Sequence, residues 1–242
     1  MSGAPAPRVL PSPPGAGLYL ALDKPAGRVV HGRDGLLEEA RGEHGELHLA
    51  HRLDRETSGV LLFARSTEAL SAAHAAWAED VKKVYLARTR GVPDPPEGAV
   101  ELRLLEHRTG KPELLRRALR AAYGPSRAGH LLSGRRVGAV PPPPPPGTTS
   151  VHPAGRVART AYRVVETSGD GALVELSPRE GRMHQIRVHL AALGTPIRGD
   201  RLYDPRAQAD ETPLLHLARL TWNSPPGEPG GAWVWESPLP TP

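Results

Sequence analysis

The sequence is compatible with a mixed α+β domain. Short apolar strands occur with two or three helical segments, and they do not follow the regular strand–helix–strand order of a parallel sheet. The chain has 242 residues, of which 38% are hydrophobic, so it can bury a sizeable core. We therefore expect one globular domain, which begins near residue 18 and ends near residue 240.

The residue usage indicates an anionic partner. The formal net charge is +5, and arginine supplies most of the positive charge because the chain has only four lysines. Guanidinium groups bind phosphate in a bidentate manner, although a coding bias towards Arg, Ala, Gly and Pro gives the same composition. With no long apolar segment, nucleic acid is a better candidate than a membrane. The absence of cysteine excludes disulfides and thiol chemistry.

The amino-terminal region predicts a disordered tail. Residues 1–17 are rich in Pro, Ala and Gly and lack the apolar core of a signal peptide, which also favours a cytoplasmic protein. Residues 18–22 then predict a strand, and the Pro25 and Gly27 that follow it predict a turn.

Further elements follow from local patterns. Ser66 is a predicted N-cap, and side chains at helical spacing predict an amphipathic helix with His74 and Trp77 in packing roles. Residues 82–87 alternate in character and predict a strand that places Tyr85 opposite its neighbours. Three more strands are expected at residues 99–105, 157–165 and 172–176, and the Ser-Gly-Asp-Gly tract before the last one predicts a hairpin turn.

The stretch 51–64 is the leading candidate for a site. It places Asp54 between Arg52 and Arg55 in a polar loop that leads through Gly59 into a short apolar strand. Neighbouring positive charge favours the ionised carboxylate, which suits nucleophilic or base chemistry. An Asp flanked by Arg is nevertheless more often an ordinary loop ion pair.

A second stretch, residues 181–194, predicts a helix. Ile186, Leu190 and Leu193 share a helical face, and Gly194 marks its end. The histidines of this stretch suggest a metal site, but their i, i+5 spacing does not place them on one face, and no His-Glu-x-x-His motif is present.

Several motifs in order resemble those of the RluA-type pseudouridine synthases. They read His-Arg-Leu-Asp-x-x-Thr-Ser-Gly at residues 51–59, Lys-x-Tyr-x-Ala at 83–87, Gly-Arg-Met-His-Gln-Ile-Arg-Val-His-Leu at 181–190 and Gly-Thr-Pro-Ile-x-Gly-Asp-x-x-Tyr at 194–203. The Lys-Pro-x-Gly at 24–27 resembles the opening of the catalytic domain. Met183 and Thr195 depart from the family pattern, which usually has Thr or Ser and His there.

The resemblance implies the pseudouridine synthase fold, a mixed and largely antiparallel sheet flanked by helices and loops, with Asp54 in a central cleft. It implies that Asp54 is catalytic, that Arg187 pairs with it, and that Tyr85 stacks on the target base. It implies neither a cofactor nor a metal. Within the same motifs we expect RNA or substrate contacts from His51, Arg52, Arg55, Thr57, His184, Gln185 and Ile186.

Compared with the family, the interval at about 107–156 is a basic, Pro-rich insertion. Within it, residues 113–122 predict a helix with outward arginines, 124–138 a basic loop and 141–146 a polyproline II segment. A basic arm along RNA and a tolerated surface insertion both remain open.

The resemblance thus implies a stand-alone catalytic domain, without an S4-type domain, that isomerises specific uridines in structured RNA. We expect a tRNA or rRNA stem-loop as substrate and a monomeric enzyme. Two alternatives stay open. One is a catalytically silent relative that acts as an RNA chaperone, and the other is a metal-dependent nuclease that uses His51, Asp54, His184 and His189.

Overall fold

Eleven strands form one sheet in the computed structural model, which describes residues 5–107, 147–226 and 231–240. The strands are β1 Arg8–Val9, β2 Tyr19–Lys24, β3 His48–Leu49, β4 Ser58–Ala64, β5 Val81–Arg90, β6 Glu97–His107, β7 Thr148–Val151, β8 Arg156–Ser168, β9 Gly171–Pro178, β10 Leu215–Asn223 and β11 Ala232–Glu236. The helices in these ranges are α1 Leu36–His44, α2 Thr67–Ala76 and α3 Gln185–Ala192. None of these helices is long and apolar enough to cross a membrane.

The strand order confirms the predicted mixed, largely antiparallel sheet. It runs β1-β2-β4-β10-β5-β9-β8-β6-β7, with β3 paired to β4 and β11 paired to β10. Among the described strand pairs, only β4 and β10 run parallel. Strand β10 therefore lies between β4 and β5, which are separated in sequence from each other only by α2.

Two apolar clusters meet at the centre of the sheet. The first surrounds β2 and β4, where every residue of Ser58–Ala64 is buried, and includes Trp222 and Trp235. The second lies under β5, β9 and α3. The Tyr85 ring packs against both clusters, so this side chain marks the boundary between them.

Helix α2 confirms the predicted N-cap but not the predicted packing of His74. The Ser66 Oγ accepts a hydrogen bond from the Ala69 backbone N–H at 3.2 Å. The buried face consists of three small residues, Ala69, Ala73 and Ala76, and His74 is exposed. Because the small side chains bring the helix close to β3 and β4, the helix rotates His74 away from the sheet.

The predicted strands are present and longer than expected. Each strand is extended by pairing with its neighbours in the sheet, and the local alternation of side chains, on which the predictions rest, does not include this pairing. The turn between β8 and β9 confirms the hairpin prediction, since Ser168 pairs with Gly171 and Gly169 takes a φ of 57°.

The amino-terminal region differs from the predicted disordered tail. Arg8 and Val9 form β1, which pairs with Asp23 and Leu22 at the edge of β2. The Leu10 side chain is buried in the first cluster. A free strand edge and a few apolar side chains thus order part of a Pro-rich segment.

Strands occupy both ends of the interval 107–156, for which an insertion is predicted. Strand β6 extends to His107, and β7 pairs with it antiparallel before β8 begins at Arg156. Both ends of the 107–156 interval therefore belong to the sheet. The predicted helix at 113–122, the basic loop at 124–138 and the polyproline segment at 141–146 lie outside the described residues.

Candidate active site

A buried lysine fixes the loop that carries Asp54. The Lys24 side chain is fully buried, and its Nζ donates to the carbonyl oxygens of Pro25 at 3.0 Å, Arg55 at 2.9 Å and Thr57 at 2.7 Å. Burial lowers the pKa of Lys24 to about 8. The turn after β2 and the loop before β4 are thus joined by one ammonium group, directly beside Asp54.

The same loop continues into a close contact between two central strands. Gly59 has a φ of 108°, and Leu217 of β10 lies opposite it. Next to it, the Ser58 Oγ lies 2.9 Å from the His216 Nδ1, and the His216 Nε2 lies 3.0 Å from the Ser237 carbonyl oxygen. Because a carbonyl can only accept, Nε2 carries the proton and Ser58 donates to Nδ1.

Asp54, Tyr85, Ile186 and Arg187 line one cavity of about 120 Å³. The Asp54 side chain is 41% exposed, so it reaches the cavity while remaining open to a ligand. Tyr85 extends from β5 on the face opposite Val84 and Leu86, as predicted. Burial, and secondarily the Asp54 charge, raise the pKa of the Tyr85 phenol. The cavity therefore combines a carboxylate with an un-ionised aromatic ring.

The predicted ion pair between Arg187 and Asp54 is not the one in the structure. The Arg187 guanidinium donates two hydrogen bonds to the Asp200 carboxylate instead, from Nε to Oδ2 at 2.7 Å and from an NH2 nitrogen to Oδ1 at 2.6 Å. The loop after α3 brings Asp200 to the guanidinium, where the buried carboxylate allows bidentate geometry. Arg187 still lines the same cavity as Asp54, so its positive charge acts on the site without a direct contact to the Asp54 carboxylate.

The ring of His184 faces the Asp54 carboxylate. Its Nε2 lies 3.8 Å from the Asp54 Oδ2, and its ring is only 10% exposed. The residue precedes α3 in the left-handed conformation, with a φ of 55°. Burial, and then the Arg187 charge, lower the pKa of His184.

The other predicted contact residues have two kinds of surroundings, and Gln185 has both. Arg52, Thr57, Gln185 and Ile186 line the cavity. Three side chains have polar groups engaged by the protein: His51 accepts from the Leu62 N–H and stacks on Trp77, the Arg55 Nε donates to the Gly27 carbonyl, and the Gln185 amide bonds Arg159, Thr160 and Arg182. Contacts of these three residues with RNA stay a prediction.

The cavity wall includes charged residues that the sequence did not single out. Lys83 and Arg182 line it together with Arg52 and Arg187, against the two carboxylates Asp54 and Glu180. Burial lowers the pKa of Lys83, and the Glu180 charge opposes that shift. The excess of cationic side chains makes the cavity favourable for an anionic ligand.

Lys24, Asp200 and Tyr203 are the other site residues without a predicted role. All three lie in motifs that had been noted, Lys-Pro-x-Gly and Gly-Asp-x-x-Tyr. The motifs could have pointed to these residues, although not to their contacts.

The four side chains of the nuclease hypothesis do not converge. His189 is buried, and its Nδ1 bonds the Thr160 hydroxyl at 2.9 Å, whereas the His51 ring packs on Trp77. Among residues 5–107, 147–226 and 231–240, no group of three or more His, Cys, Asp or Glu side chains could hold a metal ion.

Comparison with known proteins identifies the family. The family model described as RNA pseudouridylate synthase matches residues 18–192. This chain belongs to the RNA pseudouridylate synthase family. It is 32% identical over 217 residues to the dual-specificity RNA pseudouridine synthase RluA of Escherichia coli K12, a match that covers 85% of this chain and 83% of that protein. The RluA-type assignment made from the motifs is therefore confirmed, and the chain is by family an RNA pseudouridine synthase.

Other members of the family are also similar. The ribosomal large subunit pseudouridine synthase C of E. coli K12 is 34% identical over 85% of this chain and 60% of its own length. An uncharacterized RNA pseudouridine synthase of Chloroflexus aurantiacus is 35% identical over 81% of this chain, which spans 54% of that relative.

Solved structures of family members confirm the predicted fold. Human RNA pseudouridylate synthase domain containing 4 superposes with a TM-score of 0.65 at 26% identity, over 92% of this chain and 85% of that one. Human RNA pseudouridylate synthase domain containing 1 gives a TM-score of 0.71 at 21% identity, over 99% and 87%.

Proposed function

We propose that this chain converts specific uridines of a structured RNA to pseudouridine, with Asp54 as the catalytic residue. The observation that carries the proposal is the convergence of Asp54, Tyr85 and Arg187 on one cavity, in a chain of this family. The carboxylate is open to a ligand, and Tyr85 offers a ring on which a base can stack.

For this reaction the protein must supply a nucleophile or base and a confined space. The N1–C1′ bond of uridine breaks, the base turns, and C5 bonds to C1′. The C5 hydrogen leaves as a proton and N1 gains one, so atoms balance without a cofactor. In this proposal Asp54 attacks the base or the sugar or removes a sugar proton, and the cavity keeps the detached base beside it.

A base inside a helix does not fit a cavity of this size, so the target uridine must leave its stack. Unstacking costs a few kcal/mol and is cheapest in loops, which favours a tRNA or rRNA stem-loop as substrate. The cationic cavity wall supports phosphate binding. We also propose that the chain acts as a monomer and in the cytoplasm.

Tritium release from RNA labelled at uridine C5 tests the proposal. The RNA comes from cells that lack this protein and is divided into tRNA and rRNA fractions. Forming the C5–C1′ bond expels the label into solvent, so we expect release by the wild type and none by Asp54→Asn, which has the same shape. Asp34→Asn is the control, because Asp34 is an exposed Asp outside the cavity and should retain full activity.

The experiment also separates the alternative function. A silent RNA chaperone would release no tritium from either fraction, and Asp54→Asn would match the wild type in an RNA-folding assay. That pair of results would refute the isomerase proposal.

A further inference from the structure

A chain of hydrogen bonds runs from strand β7 to the edge of Asp54. The Thr149 backbone N–H donates to the Tyr203 Oη at 2.8 Å, and this oxygen lies 2.9 Å from the His184 Nδ1. The other ring nitrogen of His184 faces the Asp54 Oδ2 at 3.8 Å. The chain of contacts therefore ends beside the carboxylate that the proposed function makes catalytic.

The direction of these bonds determines which nitrogen of His184 carries the proton. A backbone N–H only donates, so the Tyr203 oxygen accepts from Thr149, and the phenol hydrogen can be donated to Nδ1. If Nδ1 were protonated instead, the phenol hydrogen would lose its acceptor. The bare Nε2 would also turn a lone pair towards the Asp54 carboxylate. Both ends of the ring therefore favour a proton on Nε2.

The surroundings also favour the neutral form of the ring. Burial and the Arg187 charge lower the pKa of His184, while Asp54, Asp200 and Glu106 oppose that shift. The Tyr203 phenol contacts the imidazole as well, and Arg52, Lys83, Glu180 and Arg182 line the same cavity. At neutral pH the ring is thus an uncharged donor through Nε2.

The His184 turn is held before any substrate binds. The Thr149 Oγ1 donates to the Met183 carbonyl oxygen at 2.8 Å, so one residue of β7 fixes both the turn and the phenol. A left-handed backbone at a residue other than glycine is strained and persists only where its surroundings impose it. Such a donor needs no reorganisation when charge develops nearby.

Building on the proposed function, we propose that His184 is a second catalytic residue, whose Nε2–H donates a hydrogen bond to a carbonyl oxygen of the target uracil beside Asp54. Tyr203 and Thr149 are positioning residues that keep the proton on that nitrogen. The 3.8 Å between Nε2 and Oδ2 is too long for a direct hydrogen bond, so Asp54 does not occupy the donor. The carbonyl oxygens gain negative charge as the N1–C1′ bond breaks, and a fixed donor stabilises the detached base more than the intact nucleotide.

Nitrogen-15 NMR of the full chain tests the tautomer without any RNA. The imidazole shifts distinguish a proton on Nε2 from one on Nδ1, and His184→Gln identifies the signal among the 11 histidines. We expect the Nε2–H form in the wild type at pH 7.5 and a mixture in Tyr203→Phe. An Nδ1–H or charged ring in the wild type would overturn the proposal, whether or not the chain acts on RNA.

Single-turnover tritium release then tests the role of the donor. His184→Leu removes it and should slow the reaction about 10²–10³-fold with little change in RNA affinity. The amide of His184→Gln supplies a donor of similar reach and should stay within about tenfold of the wild type. Both variants carry the same backbone strain, so their difference reports the donor.

His74→Leu, at an exposed position of α2, is the matched control. Equal losses in the Leu and Gln variants, or none in either, would overturn the proposal. Inactivity of the wild type on every RNA would refute the proposed function and this role of the donor, while the NMR result would still stand as a property of the fold.

Discussion

Replacing Gly59 by alanine tests the junction between the Asp54 loop and the sheet. A Cβ at this position would lie 2.7 Å from both the backbone nitrogen and the carbonyl carbon of Leu217, and closer still to its oxygen. The φ of 108° is also one that side chains other than glycine rarely adopt. Because the obstructing atoms are backbone, β4 and β10 must move apart to admit the methyl group.

Three effects set the size of the loss. An L residue at positive φ costs about 1–3 kcal/mol, and forcing an extra carbon between packed groups costs about 1–3 kcal/mol more. Separating the strands also breaks the Ser58–His216 hydrogen bond, worth about 1 kcal/mol. We therefore expect the free energy of unfolding to fall by roughly 3–7 kcal/mol, a large share of the ~5–15 kcal/mol typical of a folded protein.

Urea denaturation followed by tryptophan fluorescence measures this change, because Trp222 and Trp235 are buried in the first cluster. With a slope of about 1–3 kcal/mol per molar urea, the midpoint should drop by at least ~1 M. Gly42→Ala is the matched control: a Cβ there meets nothing within 4 Å in α1, and the change should stabilise the protein by about 0.5–1 kcal/mol. A Gly59→Ala midpoint equal to that of the wild type would refute this account of the strand contact.

Three further outcomes follow from the described contacts. Lys24→Met removes the hydrogen-bond donor to three carbonyl groups, so the free energy of unfolding should fall by about 2–4 kcal/mol and the rate of tritium release should fall more than tenfold. Lys82→Met, at an exposed position, should change neither. Equal urea midpoints for Lys24→Met and the wild type would contradict the anchoring role of Lys24. Tyr85→Leu should weaken RNA binding by about 1–3 kcal/mol and Tyr85→Phe should preserve it, as measured by filter binding, and equal affinities would exclude stacking. Burial lowers the pKa of His189 from 6.5 to about 4, so between these pH values the unfolded chain binds a proton at His189 and the folded chain does not. The free energy of unfolding is therefore highest above pH 6.5 and falls by on the order of 3 kcal/mol as the pH falls towards 4. His189→Gln should reduce this dependence of the urea midpoint on pH, while His74→Gln should leave it unchanged.

Local signals in the sequence predicted local structure well. The Ser66 N-cap, the hairpin turn before β9 and the face of Tyr85 each depend on a few neighbouring residues, and the structure has all three. His74 shows the limit of helical periodicity, since small alanines rather than spacing decided which face of α2 packs on the sheet.

Contacts between distant segments could not be predicted in the same way. The resemblance implied Asp54 as the partner of the α3 guanidinium, whereas the path of the loop after α3 brings Asp200 to Arg187 instead. Lysine is expected at the surface, yet Lys24 is buried because the Asp54 loop brings carbonyl groups around it. The tautomer of His184 depends on Thr149, which precedes α3 in the sequence, and on Tyr203, which follows it. Only the fold brings these two residues together beside the ring.

The position of β10 also has a consequence for synthesis on the ribosome. Strands β4 and β5 deliver Asp54 and Tyr85, and they are made early, but neither pairs with the other because β10 fills the space between them. A nascent chain that has not yet released residues 215–223 from the exit tunnel lacks that link. The two halves of the cavity then have no common sheet to hold them, so uridine chemistry must wait until β10 has emerged and entered the gap.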